Sequence, residues 1–156
     1  MTPSSDALCA AALTLLEGVG AARLCALLDR ASPSTTWAAL EGNHVGATPE
    51  ALDAMARRCT DAGVDVVWRG SPCYPAVFAL DPRPPAVLFT RGDLGLLAGR
   101  RAGVVGTRNA TASGRHAATE LGRRLGAAGV NVVSGLARGI DGCAHRGALA
   151  AGGDGR

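Results

Sequence analysis

The spacing of apolar residues changes twice along the chain. Leu8, Ala11, Ala12, Leu15 and Leu16 recur at helical intervals. Gly18-Val-Gly20 breaks the pattern, and Ala21–Leu28 resumes it. Ser32-Pro-Ser-Thr-Thr36 reads as a turn with capping residues that opens a short helix around Trp37–Leu40. Thr48-Pro49-Glu50 is a stronger start, with a hydroxyl cap, proline at the first helical position and an acid next. That helix is expected to run to about Asp61 and stop at Gly63. From Val64 the residues become β-branched, and Val64–Trp68 reads as a strand. Five prolines (Pro72, Pro75, Pro82, Pro84, Pro85) then mark residues 69–85 as a linker or a packed irregular segment.

Past that segment the pattern alternates. Ala86–Thr90 reads as a strand, Arg91-Gly92-Asp93 as a turn and Leu94–Ala98 as a helical turn. A short apolar strand from Arg101 closes on Gly103–Val105, and a polar loop runs from Gly106 to Ser113. A helix over Ser113–Ala128 follows, with Ala117, Leu121 and Leu125 on its apolar face and Gly129 at its end. Val130–Val133 is the next strand, Ser134–Gly139 the next polar loop, and Asp141–Ala151 a helix with the aspartate at its cap. Strand, loop, helix, repeated, is the signature of an α/β fold with parallel strands. The proline-rich stretch places a domain boundary nearby, dividing the chain into a helical domain, residues 1–66, and an α/β domain, residues 67–156.

Charge adds to this division. All sixteen basic residues are arginine. Residues 1–99 carry seven Arg and ten acids, whereas residues 100–156 carry nine Arg and three acids. Two readings fit: a polyanionic partner for the second half, or an arginine-rich composition spread over solvated helix faces. The five cysteines are odd in number and show no CxxC pair, which points to small buried hydrophobes rather than a zinc site or a disulfide framework. No stretch is long and apolar enough to span a membrane, and Met1–Asp6 lacks the pattern of a signal peptide, so a cytoplasmic location is expected.

The candidate chemistry sits in the two polar loops. Each follows a strand and opens a helix, so in a parallel sheet both emerge at the carboxyl edge, where open α/β sheets take ligands. Gly106, Gly114, Gly135 and Gly139 let backbone approach an anion closely, and the helix N-termini behind them add N–H donors. Thr107, Thr111, Ser113 and Ser134 supply hydroxyls, and Arg108 and Arg138 supply guanidinium forks suited to phosphate. The bland alternative is a pair of ordinary strand-to-helix turns. The first loop is neither GxGxxG nor a Walker loop, which argues against a dinucleotide or ATP, and no metal or other cofactor is expected. No aromatic residue lies in the basic half, so a nucleic-acid ligand would be held by its backbone rather than by base stacking. Asp141 and His145 stand one helical turn apart, which reads more simply as a cap and a packed histidine than as an acid–base pair. No catalytic residue is assigned.

Several segments together carry a family resemblance. Tyr74-Pro75, Leu80-Asp-Pro-Arg-Pro-Pro-Ala-Val-Leu-Phe-Thr-Arg-Gly92, Val104-Val-Gly-Thr-Arg108, Val133-Ser-Gly-Leu-Ala-Arg-Gly-Ile-Asp141, Ala144-His145 and Gly147-Ala-Leu149 resemble the DprA/Smf DNA-processing family in order and spacing. The resemblance implies a Rossmann-like parallel sheet that binds single-stranded DNA through Gly106–Arg108 and Ser134–Asp141. It also implies a non-enzymatic role in delivering RecA during natural transformation or related recombination, and dimerisation. Leu16-Glu-Gly-Val-Gly20 with Ala21-Ala-Arg23 is similar to a helix-hairpin-helix turn, which makes residues 1–66 a small helical domain of that or the SAM type. The family's domain continues with further strands, so the sheet is expected to be incomplete at its C-terminal side. Two other readings stand beside this one: a nucleotide-hydrolysing enzyme of phosphoribohydrolase type, and an inactive fragment.

Overall fold

A computed structural model describes residues 4–152; the sequence's first three residues and its Gly153–Arg156 tail lie outside the described residues. The chain divides into two compact units that meet between Leu94 and Gly95.

The first unit is mainly helical. Helices α1 (Ser5–Leu13), α2 (Ala21–Leu28), α3 (Pro33–Leu40) and α4 (Pro49–Ala62) precede two short strands, β1 (Asp65–Trp68) and β2 (Val87–Thr90). Helix starts are set by hydroxyl caps: Ser4 accepts from the Ala7 amide, Ser32 from Thr35 and Thr48 from Ala51, each at 3.2 Å. Gly63 ends α4 in the left-handed conformation. The short, alanine-rich α1 is buried over Ala7 and Cys9–Leu13, which lets α3, α4 and β1 pack closely around it. Leu13, Leu24, Trp37, Met55, Cys59 and Val66 fill the rest of the core. One expectation needs correction: α1 stops at Leu13, Thr14 turns its hydroxyl onto the Ala11 carbonyl, and Leu15 is exposed rather than part of the apolar face.

The proline-rich segment is a packed irregular connection. It carries one helical turn, α5 (Ala76–Ala79), and the Tyr74 hydroxyl donates to the Pro85 carbonyl at 2.7 Å. It brings β2 back antiparallel to β1, with Asp65 opposite Thr90 and Trp68 opposite Val87. Both strands therefore belong to the first unit. Cys9, Cys59 and Cys143 are buried as expected, but Cys73, on this segment, is exposed; all five cysteines are free thiols. Burial pushes the Cys9 and Cys59 thiols up from their ordinary value.

The second unit holds β3 (Arg101–Gly103), α6 (Ala112–Ala127), β4 (Asn131–Val133) and α7 (Ile140–Gly152); a 3-10 turn over Leu94–Ala98 straddles the division between the units. β3 and β4 run parallel, Arg101 beside Asn131 and Gly103 beside Val133. The helices pack on each other through small residues. A Cβ on Gly122 would overlap the Ala144 carbonyl, and one on Gly147 would overlap the Thr119 carbonyl. This corrects the expected face of α6: Ala117 and Leu121 are exposed, and the buried positions are Ala118 and Gly122. Among the described residues no helix is long and apolar enough to cross a membrane.

Candidate functional site

Parallel pairing puts the ends of β3 and β4 side by side, so the turn into α6 and the turn into α7 leave the same end of the sheet. Five contacts tie these turns together. The Gly106 amide donates to one Asp141 carboxylate oxygen at 3.2 Å, and the Gly135 amide donates to the other at 3.1 Å. The Ile140 amide donates to the Thr107 carbonyl at 3.3 Å. Gly139 lies flat against the first turn: its φ is +91°, and a Cβ there would overlap the Thr107 carbonyl and stand 2.8 Å from the Arg108 Cα. Gly106 is likewise pressed on Ile140, whose Cγ1 would lie 2.7 Å from an added Cβ.

Arg108 and Arg138 are thereby brought together, because the residue following Arg138 abuts the backbone of Arg108. Both side chains are exposed, and neither has a carboxylate partner among the described residues. Thr107 and Thr111 are exposed and accept from the Asn109 and Gly114 amides at 3.1 Å each, which leaves their hydroxyl hydrogens available. Ser113 is exposed with no partner among the described residues, as are the Ala112 and Ser113 amides in the first turn of α6. Ser134 is more engaged: its oxygen accepts from the Leu136 amide at 2.9 Å and sits 2.8 Å from His145 Nε2. Leu136 holds a left-handed φ of +52° with its side chain in solvent.

The ten residues singled out in the sequence thus fall on two adjoining turns, with divided duties. Gly106, Gly135 and Gly114 spend their amides on side chains of the protein itself, so they shape the turns rather than offer donors to a ligand. Arg108, Arg138, Thr107, Thr111 and Ser113 present open donors. Asp141 is not the helix cap the sequence suggests. It lies inside α7, 4% exposed, with its carboxylate turned back onto both turns, and it does not pair with His145. Arg115 adds an unforeseen contact, its guanidinium donating to the Ala110 carbonyl at the base of the first turn.

The other arginines differ. Glu120 accepts from Arg123 and from Arg124, each at 2.8 Å. The Arg123 bond, then the Arg124 bond, holds the Glu120 carboxyl down at about 2. A folded value below the ordinary one stabilises the fold above the ordinary carboxylate range, and that contribution is lost as pH falls through about 2. In a carbon-13 titration Glu120 should show a midpoint near 2, and R123A/R124A should return it toward 4.5. Arg101 donates to the Leu97 carbonyl. An apolar groove of about 580 Å³ runs beside β4, lined by Leu96, Val133, His145 and Leu149 among others, and neither Arg108 nor Arg138 lines it. Among the described residues no cluster of His, Cys, Asp and Glu could hold a metal ion.

The fold and site define an α/β chain in which a pair of strand-to-helix turns presents open cationic and hydroxyl groups at one end of a parallel sheet. Residues 65–155 match the model of a family described as DNA recombination-mediator protein A, and the chain belongs to that family. It is 42% identical over 92 residues to the DNA processing protein DprA of Bacillus subtilis, covering 58% of this chain and 31% of that protein. It is 54% identical over 67 residues to a putative DNA processing protein DprA of Mycobacterium tuberculosis, covering 42% of this chain and 17% of the relative. Among solved structures, DNA processing protein A of Streptococcus pneumoniae matches with a TM-score of 0.51 and 28% identity, over 67% of this chain and 39% of that one. The chain therefore spans less than half the length of these relatives.

Proposed function

We propose that the two turns bind the sugar-phosphate backbone of single-stranded DNA, in a non-catalytic role in recombination. The observation that carries this reading is the contact of Gly139 on Arg108, from which two guanidinium groups with no carboxylate partner among the described residues leave adjoining backbone. Their forked donors suit phosphate oxygens. Thr107, Thr111 and Ser113 add hydroxyl donors at the mouth of α6, where the helix dipole also favours an anion. With no aromatic residue in the second unit, bases have no stacking platform, so binding is expected to be tolerant of sequence.

Family membership supports DNA as the partner, and the relatives' names describe DNA processing. We read the β3–β4 pair as the opening of a Rossmann-like sheet. We read the first unit as a small helical domain whose acidic surface keeps it off DNA. In the family-length protein the same platform would present the strand to RecA, in the cytoplasm, with dimerisation through parts beyond this chain. The test is anisotropy of a fluorescent oligonucleotide across a salt series. Losing two phosphate contacts from a single strand lowers the slope of log affinity against log salt by about 1.4. R108A/R138A is expected to show that decrease, equally for oligonucleotides of different sequence. An unchanged slope would remove both arginines from the interface.

A further inference from the structure

We propose that Asp141 is the positioning residue of this platform, its single carboxylate setting the separation of the two arginine-bearing turns by accepting one amide from each; the effect on binding rests on the DNA reading above. The carboxylate is buried at 4% exposure and forms no ion pair among the described residues. A buried carboxylate is tolerated only when its oxygens are hydrogen-bonded. Here each oxygen takes one N–H, from Gly106 at 3.2 Å and Gly135 at 3.1 Å, two residues before Arg108 and three before Arg138. The start of α7 does not need this side chain, because the Gly142 and Cys143 amides already donate to the Ala137 and Gly139 carbonyls. Asp141 is therefore spent on the turns and not on its own helix.

The chemistry is specific to a carboxylate. Only two equivalent acceptor oxygens on one short arm can serve two facing amides. An asparagine offers one acceptor and sets its NH₂ against the second amide, donor to donor. One amide is then released, and its turn relaxes about the links that remain, the Ile140–Thr107 bond and the Gly139 contact, so that the guanidinium it carries no longer keeps its place beside the other. The two arginines should act as a coupled pair in the native chain and as independent groups in D141N.

The first test uses the native chain. Scalar couplings across hydrogen bonds should join the Gly106 and Gly135 amides to the same Asp141 carboxyl carbon, and absence of both overturns the proposal. The second uses D141N. One of the two amides should exchange with solvent about tenfold faster while the amides of α6 and α7 keep their protection, as expected when one hydrogen bond is lost without unfolding. The third is a double-mutant cycle of R108A and R138A in oligonucleotide binding. The coupling factor should be about tenfold in the native background and close to one in D141N. D141E, which keeps both oxygens, should restore part of it. A coupling factor unaltered by D141N overturns the positioning role even where affinity falls. Should D141N fail to fold, the native-chain couplings and D141E decide the matter. If the native chain binds no oligonucleotide, the DNA reading fails, and the amide couplings still decide what Asp141 holds.

Discussion

Replacing Gly147 by alanine is expected to destabilise the second unit by about 3 kcal/mol or more, the upper end of what overpacking costs. Elsewhere in a helix the same change would help by about 1 kcal/mol, since glycine is a poor helix former. The sign reverses here because of what the new methyl would meet. It would overlap the Thr119 carbonyl oxygen and lie 2.8 Å from the Arg123 nitrogen. Both are backbone atoms of α6, which cannot swing aside as a side chain does. The helices would have to separate, and the contact made by Ala118, Gly122, Cys143 and Ala144 would open with them. Gly152, on the same helix with nothing within 4 Å of an added Cβ, supplies the control. Amide exchange should show G147A losing protection across α6 and α7, with G152A unaffected. A G147A melting curve superimposable on that of the native chain would mean that the helices do not meet through backbone.

The second large effect is expected in the first unit. Trp37→Ala should cost about 3–5 kcal/mol, the range for deleting a large buried aromatic side chain. Trp37 is 4% exposed on α3, in the cluster that joins α1, α2, α4 and β1. Few residues there are large: α1 contributes mostly alanines, so the indole supplies volume that no neighbour can replace. Leu15→Ala, at a position 61% exposed, should fall within about 0.5 kcal/mol of the native chain. Urea titration followed by the remaining fluorescence and by circular dichroism should show the midpoint falling for W37A at nearly constant slope. Equal midpoints for W37A and L15A would mean that Trp37 does not anchor this core.

What the sequence made legible follows the range of the forces involved. The helix start at Thr48-Pro49 and the stop at Gly63 are local chemistry and stand where they were expected, whereas α3 begins at Pro33, a turn earlier than the helix expected around Trp37–Leu40, because Ser32 caps it directly. The parallel pairing of β3 with β4, and hence the shared end for both turns, was also readable, because alternation of strand and helix leaves few topologies. The pairing of β1 with β2 was less so. It spans the proline-rich segment, and its consequence, a first unit extending to Leu94, depends on contacts between distant residues. The buried face of α6 departs from its leucine pattern because close backbone approach selects glycine and alanine. At the site the arginines and hydroxyls were named from their chemistry. The role of Asp141 was hidden because capping and loop-holding look alike in sequence; only the direction of the carboxylate separates them. The left-handed backbone at Leu136 carries no sequence signal, since that conformation usually selects glycine or asparagine.

Contact between the two helices through backbone, rather than through interlocking side chains, bears on how the turns meet a ligand. Rotamer changes cannot loosen such a seam, so α6 and α7 form a common pedestal beneath both turns. On the proposed DNA reading, an incoming strand would meet a platform already formed, not a clamp that must close. Little ordering is then left to be done on binding. Association should be limited by encounter and electrostatic attraction, not by a slow rearrangement of the protein.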